Sequence, residues 1–107
     1  MDLNTLDLTR IALDGTNAEL RPIFDPVLRT FSVQLWKGGE PSGIHGLIDA
    51  FRYPDEPLES IDAFLAEQDV RAVTGDEAVV VYAGLVYAKG GPDWVLLQME
   101  VAASQQS

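Results

Sequence analysis

Strand-like patterns at both ends of the chain, with two helix-like patterns between them, predict an α+β domain. The expected form is an antiparallel sheet built around a C-terminal hairpin, with two short helices packed on one face. Three observations carry this. Ala78–Ala88 is an apolar run rich in valine and tyrosine, and Trp94–Ala103 resumes the strand pattern after the turn-forming Lys89-Gly90-Gly91-Pro92-Asp93. Val27, Phe31, Val33 and Leu35 alternate with Thr30, Ser32 and Gln34, the pattern of a half-exposed strand. Ile44, Leu47, Ile48 and Phe51, and then Leu58, Ile61, Phe64 and Leu65, recur at helical spacing. A chain of 107 residues makes one domain, 1–107, with a polar tail from Ser104 to Ser107.

In chain order, the first segment fits either period. Leu3, Leu6, Arg10 and Leu13 suit a helical stripe, whereas Leu6, Leu8 and Ala12 alternate, and Thr5, Thr9 and Ile11 tilt the reading to strand. Asp14-Gly15-Thr16-Asn17 is a turn that closes a hairpin into Ala18–Phe24. Pro22 and Pro26 precede the strand that ends at Trp36, and Arg29 interrupts its apolar face where a long side chain reaches water. Lys37–Gly43 reads as a loop with Ser42 as N-cap of the first helix, which Tyr53-Pro54 ends. The second helix starts near Asp55 or Glu56, with Pro57 in its first turn and acids at the positive end of its dipole. Val70–Thr74 reads as a short strand leading into the hairpin.

Within that hairpin one face holds Val80, Tyr82, Val86, Val95, Leu97, Met99 and Val101, a core face. The other holds Val79, Val81, Leu85, Tyr87, Trp94 and Leu96, relieved only by Lys89, Gln98 and Glu100. A wet face would alternate more cleanly. This surplus face is therefore covered by the chain itself, by a second copy or by a partner. Gly84 marks a bulge or a close backbone approach.

Seventeen acids against seven bases give a formal charge of −10. Asp49–Glu77 alone has nine acids against Arg52 and Arg71, a net of −7. Direct nucleic-acid binding rests on basic groups and is not expected. An acidic surface attracts basic partners, although acidity also serves plain solubility. The absence of cysteine excludes disulfides, thiolate metal sites and a cysteine nucleophile, and suits a cytoplasmic setting. The first residues lack the basic start and apolar core of a signal peptide, and no segment suits a membrane-spanning helix. No membrane association is expected.

Each candidate site has a plainer alternative. His45 and Asp49, four apart on the expected first helix, suit a base with its orienting carboxylate, but equally an ordinary helical pair. No second histidine completes a common zinc set, so no metal and no cofactor is expected. The loop KGGEPSGIHG leads to an expected helix start, where free N–H groups can hold an anion, yet it matches neither phosphate-binding nor dinucleotide fingerprints. Asp55, Glu56, Glu59 and Asp62 form an acidic face without calcium-loop spacing, and are read as partner-binding. Trp94, Leu96, Tyr87 and Leu85, on the surplus face, are the apolar partner-binding candidates. No elbow motif supports a serine nucleophile.

Val70–Tyr87 followed by Asp93–Gln98 resembles the C-terminal strands of the NTF2-like/SnoaL superfamily, cone-shaped α+β domains with a pocket. The resemblance covers the last third of the chain and rests on strand pattern. Those domains begin with a long helix, whereas this N-terminal half reads as strands broken by prolines, and the chain is not assigned to the family.

These features point to a non-enzymatic acidic module that binds a basic protein partner or itself as a homodimer. Small, acidic, cysteine-free chains have the profile of inhibitors and immunity-type proteins, phage-encoded ones included. The competing class is a small pocket enzyme or small-ligand binder of NTF2-like character, with His45 and Asp49 near its cavity.

Overall fold

A computed structural model describes residues 6–104 of the chain. Leu3, Thr5 and residues 105–107 of the polar tail lie outside the described residues. β1 (Ile11–Ala12), β2 (Ala18–Asp25), β3 (Thr30–Lys37) and β4 (Glu40–His45) form an antiparallel meander in the order β1-β2-β3-β4. Three helices follow: α1 (Glu56–Glu67), α2 (Gly75–Lys89) and α3 (Gly91–Ser104). The architecture is α+β with an antiparallel sheet, as the patterning predicts. The sheet, however, is N-terminal, and the last elements are helices.

Period-two alternation builds the sheet. Leu20 faces Leu35 and Phe24 faces Phe31 across β2 and β3, and with Val33 they form the inner face. Leu20, Phe31, Val33 and Leu35 are almost completely buried. The outer face carries polar side chains together with Ile23 and Ile44. Arg21 lies 3.6 Å from the Trp36 ring centre, the Trp36 indole N–H donates to Gln34 Oε1 at 2.7 Å, and Arg21 Nε donates to Glu19 at 2.9 Å. The turn at Asp14–Asn17 closes β1 onto β2 as expected. Val27 does not join the apolar face of β3. It sits in the β2–β3 turn, where Asp25 Oδ1 accepts from the Val27 and Leu28 N–H groups, and Arg29 adopts φ 57°.

The first expected helix is absent. Lys37 pairs with Glu40 across Gly38-Gly39, whose φ values of 59° and 82° make a two-residue hairpin turn that side-chain-bearing residues rarely adopt. Glu40–His45 continues as edge strand β4, and the chain then turns through 46–50. Two glycines had already weakened a helix here, and Pro41 is tolerated on an edge. The second expected helix is α1. Ile61 and Leu65 are fully buried, and Leu58 and Phe64 pack at the margin of the core.

The expected C-terminal β-hairpin is a helical hairpin, α2 against α3. Thr74 Oγ1 accepts from the Glu77 N–H at 3.1 Å while the Glu77 carboxylate accepts from the Thr74 N–H at 2.9 Å, a complete capping box. Asp76 and Glu77 suit the positive end of the helix, Lys89 the negative end, and Gly90 closes it with positive φ. Pro92 and Asp93 fit the first turn of α3. These end signals outweigh the strand preference of valine and tyrosine. The resemblance to NTF2-like C-terminal strands fails for the same reason. Val70–Thr74 is not a strand either, because its N–H groups go elsewhere: Val70 to the Leu65 carbonyl, Val73 to Asp62 and Thr74 to Glu77.

α1 and α2 pack on the inner face of the sheet, and α3 lies on α2. Gly84 sets the height of α2 over the sheet. A Cβ there would stand 2.6 Å from the Pro22 ring and 2.7 Å from the Leu8 carbonyl oxygen. The close approach expected at Gly84 is real, on a helix instead of a strand. Arg71 binds both Glu77 carboxylate oxygens, at 2.7 and 2.9 Å, and the Asp14 carbonyl, tying the first turn to the start of α2. That guanidinium lowers the Glu77 carboxyl from an ordinary 4.5 to about 2.

Candidate functional site

The turn after β4 is pinned at both ends. On one side His45 is only 8% exposed, and on the other the Phe31 N–H donates to the Phe51 carbonyl at 2.7 Å. The His45 ring lies between Phe51 and Phe64, with centres 5.1 and 5.0 Å away. Its Nε2 is 3.1 Å from the Pro57 carbonyl and 3.0 Å from Ser60 Oγ. A carbonyl only accepts, so Nε2 carries the proton. His45 thus anchors β4 to α1. Asp49 is exposed on the turn, and no hydrogen bond joins it to His45 among the described residues. Without the expected helix, the two are not held as a base and its orienting carboxylate.

Between these anchors the turn holds its apolar side chains out. Leu47 is 75% and Ile48 90% exposed, and Ile44 on β4 is also open. Scattered exposed leucines are ordinary, but neighbouring aliphatics this exposed form a patch that needs a cause. They border a groove of about 550 Å³ whose other wall is the α1 face of Ser60, Ala63, Phe64 and Glu67. Asp49 and Glu67 line the groove, and Glu59 stands one turn before Ala63 on the same side of α1. None of these three carboxylates is paired with a base among the described residues. The site is an apolar trough with an acidic rim.

Of the four acids expected to bind a partner, Glu59 flanks the groove and Asp55 is exposed beyond it. Glu56 accepts from the Arg52 and Tyr53 N–H groups, and Asp62 from Val73, so both hold the chain's own turns. Of the four apolar candidates, Leu85 is fully buried in the main core and does not reach the surface, because α2 turns it towards the sheet. Trp94 is half-buried against Tyr87, ring centres 5.1 Å apart. Tyr87 and Leu96 are exposed. Leu47 and Ile48 were missed because they were assigned to a buried helical stripe. A Gly-Gly pair between two strand-like runs is the hairpin signal that would have exposed them.

A smaller cleft of about 290 Å³ lies between Arg10, Asp14, Asp76 and Glu77, but its Glu77 is committed to Arg71 and the α2 cap. Among the described residues no group of three or more histidine, aspartate or glutamate side chains is placed to hold a metal ion. No helix among the described residues is long and apolar enough to cross a membrane. Comparison with protein-family models, curated proteins and solved structures finds no match to this chain.

Proposed function

We propose that the protein is a non-enzymatic binding module whose groove between α1 and the turn after β4 takes a basic, apolar-anchored segment of another protein. One observation carries this reading: Leu47 and Ile48, exposed on a turn that is pinned at both ends, beside an apolar groove lined by Asp49 and Glu67, with Glu59 next to it on α1. Aliphatic anchors entering the trough would bury surface worth about 25 cal/mol per Å². Lysine or arginine flanks would meet unpaired carboxylates, and the net charge of −10 would speed their approach. An inhibitor or immunity-type role against a basic protein is one use of such a surface, and the cysteine-free composition supports a cytoplasmic setting.

The test uses an amphipathic peptide of leucine and lysine as probe, with its leucine and glutamate counterpart as control. Amide NMR shifts on titration should cluster at 44–49 and 59–67. The lysine peptide alone should bind, and Ile48→Asp should weaken it by about 10-fold or more. Shifts spread evenly over the acidic surface, or equal binding of both peptides, would overturn the proposal.

A further inference from the structure

α3 is apolar on two sides, and only one is used. Trp94, Leu97 and Val101 face α2 and form a second, smaller core with Leu8 and Ala83. On the opposite side Val95, Leu96, Met99, Ala102 and Ala103 make a continuous stripe at spacings of three and four residues. All five are exposed, Leu96 at 56% and Met99 at 62%. No charged side chain interrupts the stripe. A surface helix apolar on both sides has a second contact to make.

We infer that this stripe pairs with the same stripe of a second copy, the two α3 helices packing antiparallel about a two-fold axis near Met99. Two features select that occupant. The first is charge. Residues 78–104 carry only Lys89, Asp93 and Glu100, a net of −1, whereas the rest of the chain carries −9. Two like-charged copies meet with least repulsion here, and a basic partner finds no complement.

The second feature is shape. The stripe is large at its start, Val95 and Leu96, and small at its end, Ala102 and Ala103. Antiparallel pairing sets the large end of each helix over the small end of the other, with Met99 across from Met99, the self-complementarity of a two-fold interface. A parallel pair would stack large on large. One helix of about 21 Å gives less than the roughly 800 Å² per partner of a standard interface, so a micromolar dimer is expected.

Sedimentation equilibrium between about 1 and 200 μM should show a monomer–dimer equilibrium. Met99→Lys should raise the dissociation constant by about 30-fold or more, with unchanged circular dichroism. Ile48→Asp should leave the equilibrium alone, which separates this result from the fate of the groove. Because the chain has no cysteine, single replacements report register. Under oxidation Met99→Cys should crosslink to its own copy, whereas Val95→Cys and Ala102→Cys should not. Self-crosslinking at all three positions would overturn the antiparallel pairing. A wild type that stays monomeric, or a dimer indifferent to Met99→Lys, would overturn the inference as a whole.

Discussion

The groove beside α1 and the outer stripe of α3 both expose aliphatic side chains, but one is rimmed by carboxylates and the other is uncharged. Apolar area alone marks only a surface that docking would bury. Charge says what would dock. Asp49, Glu59 and Glu67 favour a cation at the groove, while the stripe lies where an acidic protein can tolerate its own likeness. Their supports differ as well. The groove rests on β4, α1 and the anchored His45, whereas the stripe belongs to a helix that packs mainly on α2, with Leu8 beside it.

That difference in support makes Gly84 the strongest test. Alanine is the better helix former, but a Cβ here meets the Leu8 carbonyl, a backbone atom that moves only with its segment. Gly84→Ala should therefore cost about 1–3 kcal/mol, read as a lower midpoint in urea. Its local effect should fall on α2 and α3, with faster hydrogen exchange there than in α1 and β4. An unchanged or raised midpoint would show that α2 does not hold α3 at a fixed height.

Glu77→Gln acts on the same support with a smaller cost, about 1–2 kcal/mol at neutral pH, through the lost charge on the cap and on Arg71. Its pH dependence has a definite sign. The folded carboxyl sits at about 2 against an ordinary 4.5, so its contribution is complete above 4.5 and disappears as the pH falls from there towards 2. Glu19, lowered by its bonds to Arg10 and Arg21, adds in the same direction. Urea midpoints from neutral pH down to about 2 should fall less steeply in Glu77→Gln than in the wild type. Parallel curves would contradict the assignment.

Salt separates the two surfaces directly. Raising sodium chloride from about 0.05 to about 0.5 M should weaken the lysine peptide at the groove by roughly three- to ten-fold, since exposed carboxylates are screened. Dimerisation through α3 should hold steady or tighten slightly as repulsion between the remaining charges falls. The same response at both sites would mean that charge does not distinguish the two surfaces.

The parts of the fold legible in the sequence are those where period and turn chemistry agree. β2, β3 and α1 each had both, and the turn at Asp14–Asn17 supplied the first hairpin. The C-terminal hairpin went wrong because an apolar run buried on several sides has no clear period, as Val81, Ala83, Leu85 and Val86 show, all buried on α2. The sequence did contain the deciding signals, Thr74 three residues before Glu77 and Lys89 before Gly90. The groove was less legible still. Ile44, Leu47, Ile48 and Phe51 have helical spacing, yet only the short Gly-Gly turn ahead of them fixes β4 and leaves three of them in solvent. The surplus of apolar surface was readable; its location was not.

The smallest effect expected is also the sharpest check on the groove. Ile48 contributes little to the fold at 90% exposure, so Ile48→Ser should change stability by less than about 0.5 kcal/mol. Phe51, anchored to Phe31 in the same turn, should behave oppositely, and Phe51→Ala should cost at least about 2 kcal/mol. A side chain that stability does not need, held out by neighbours that stability does need, is what a contact residue looks like. If Ile48→Ser proved as costly as Phe51→Ala, Ile48 would be part of the core and the groove would lose its anchor.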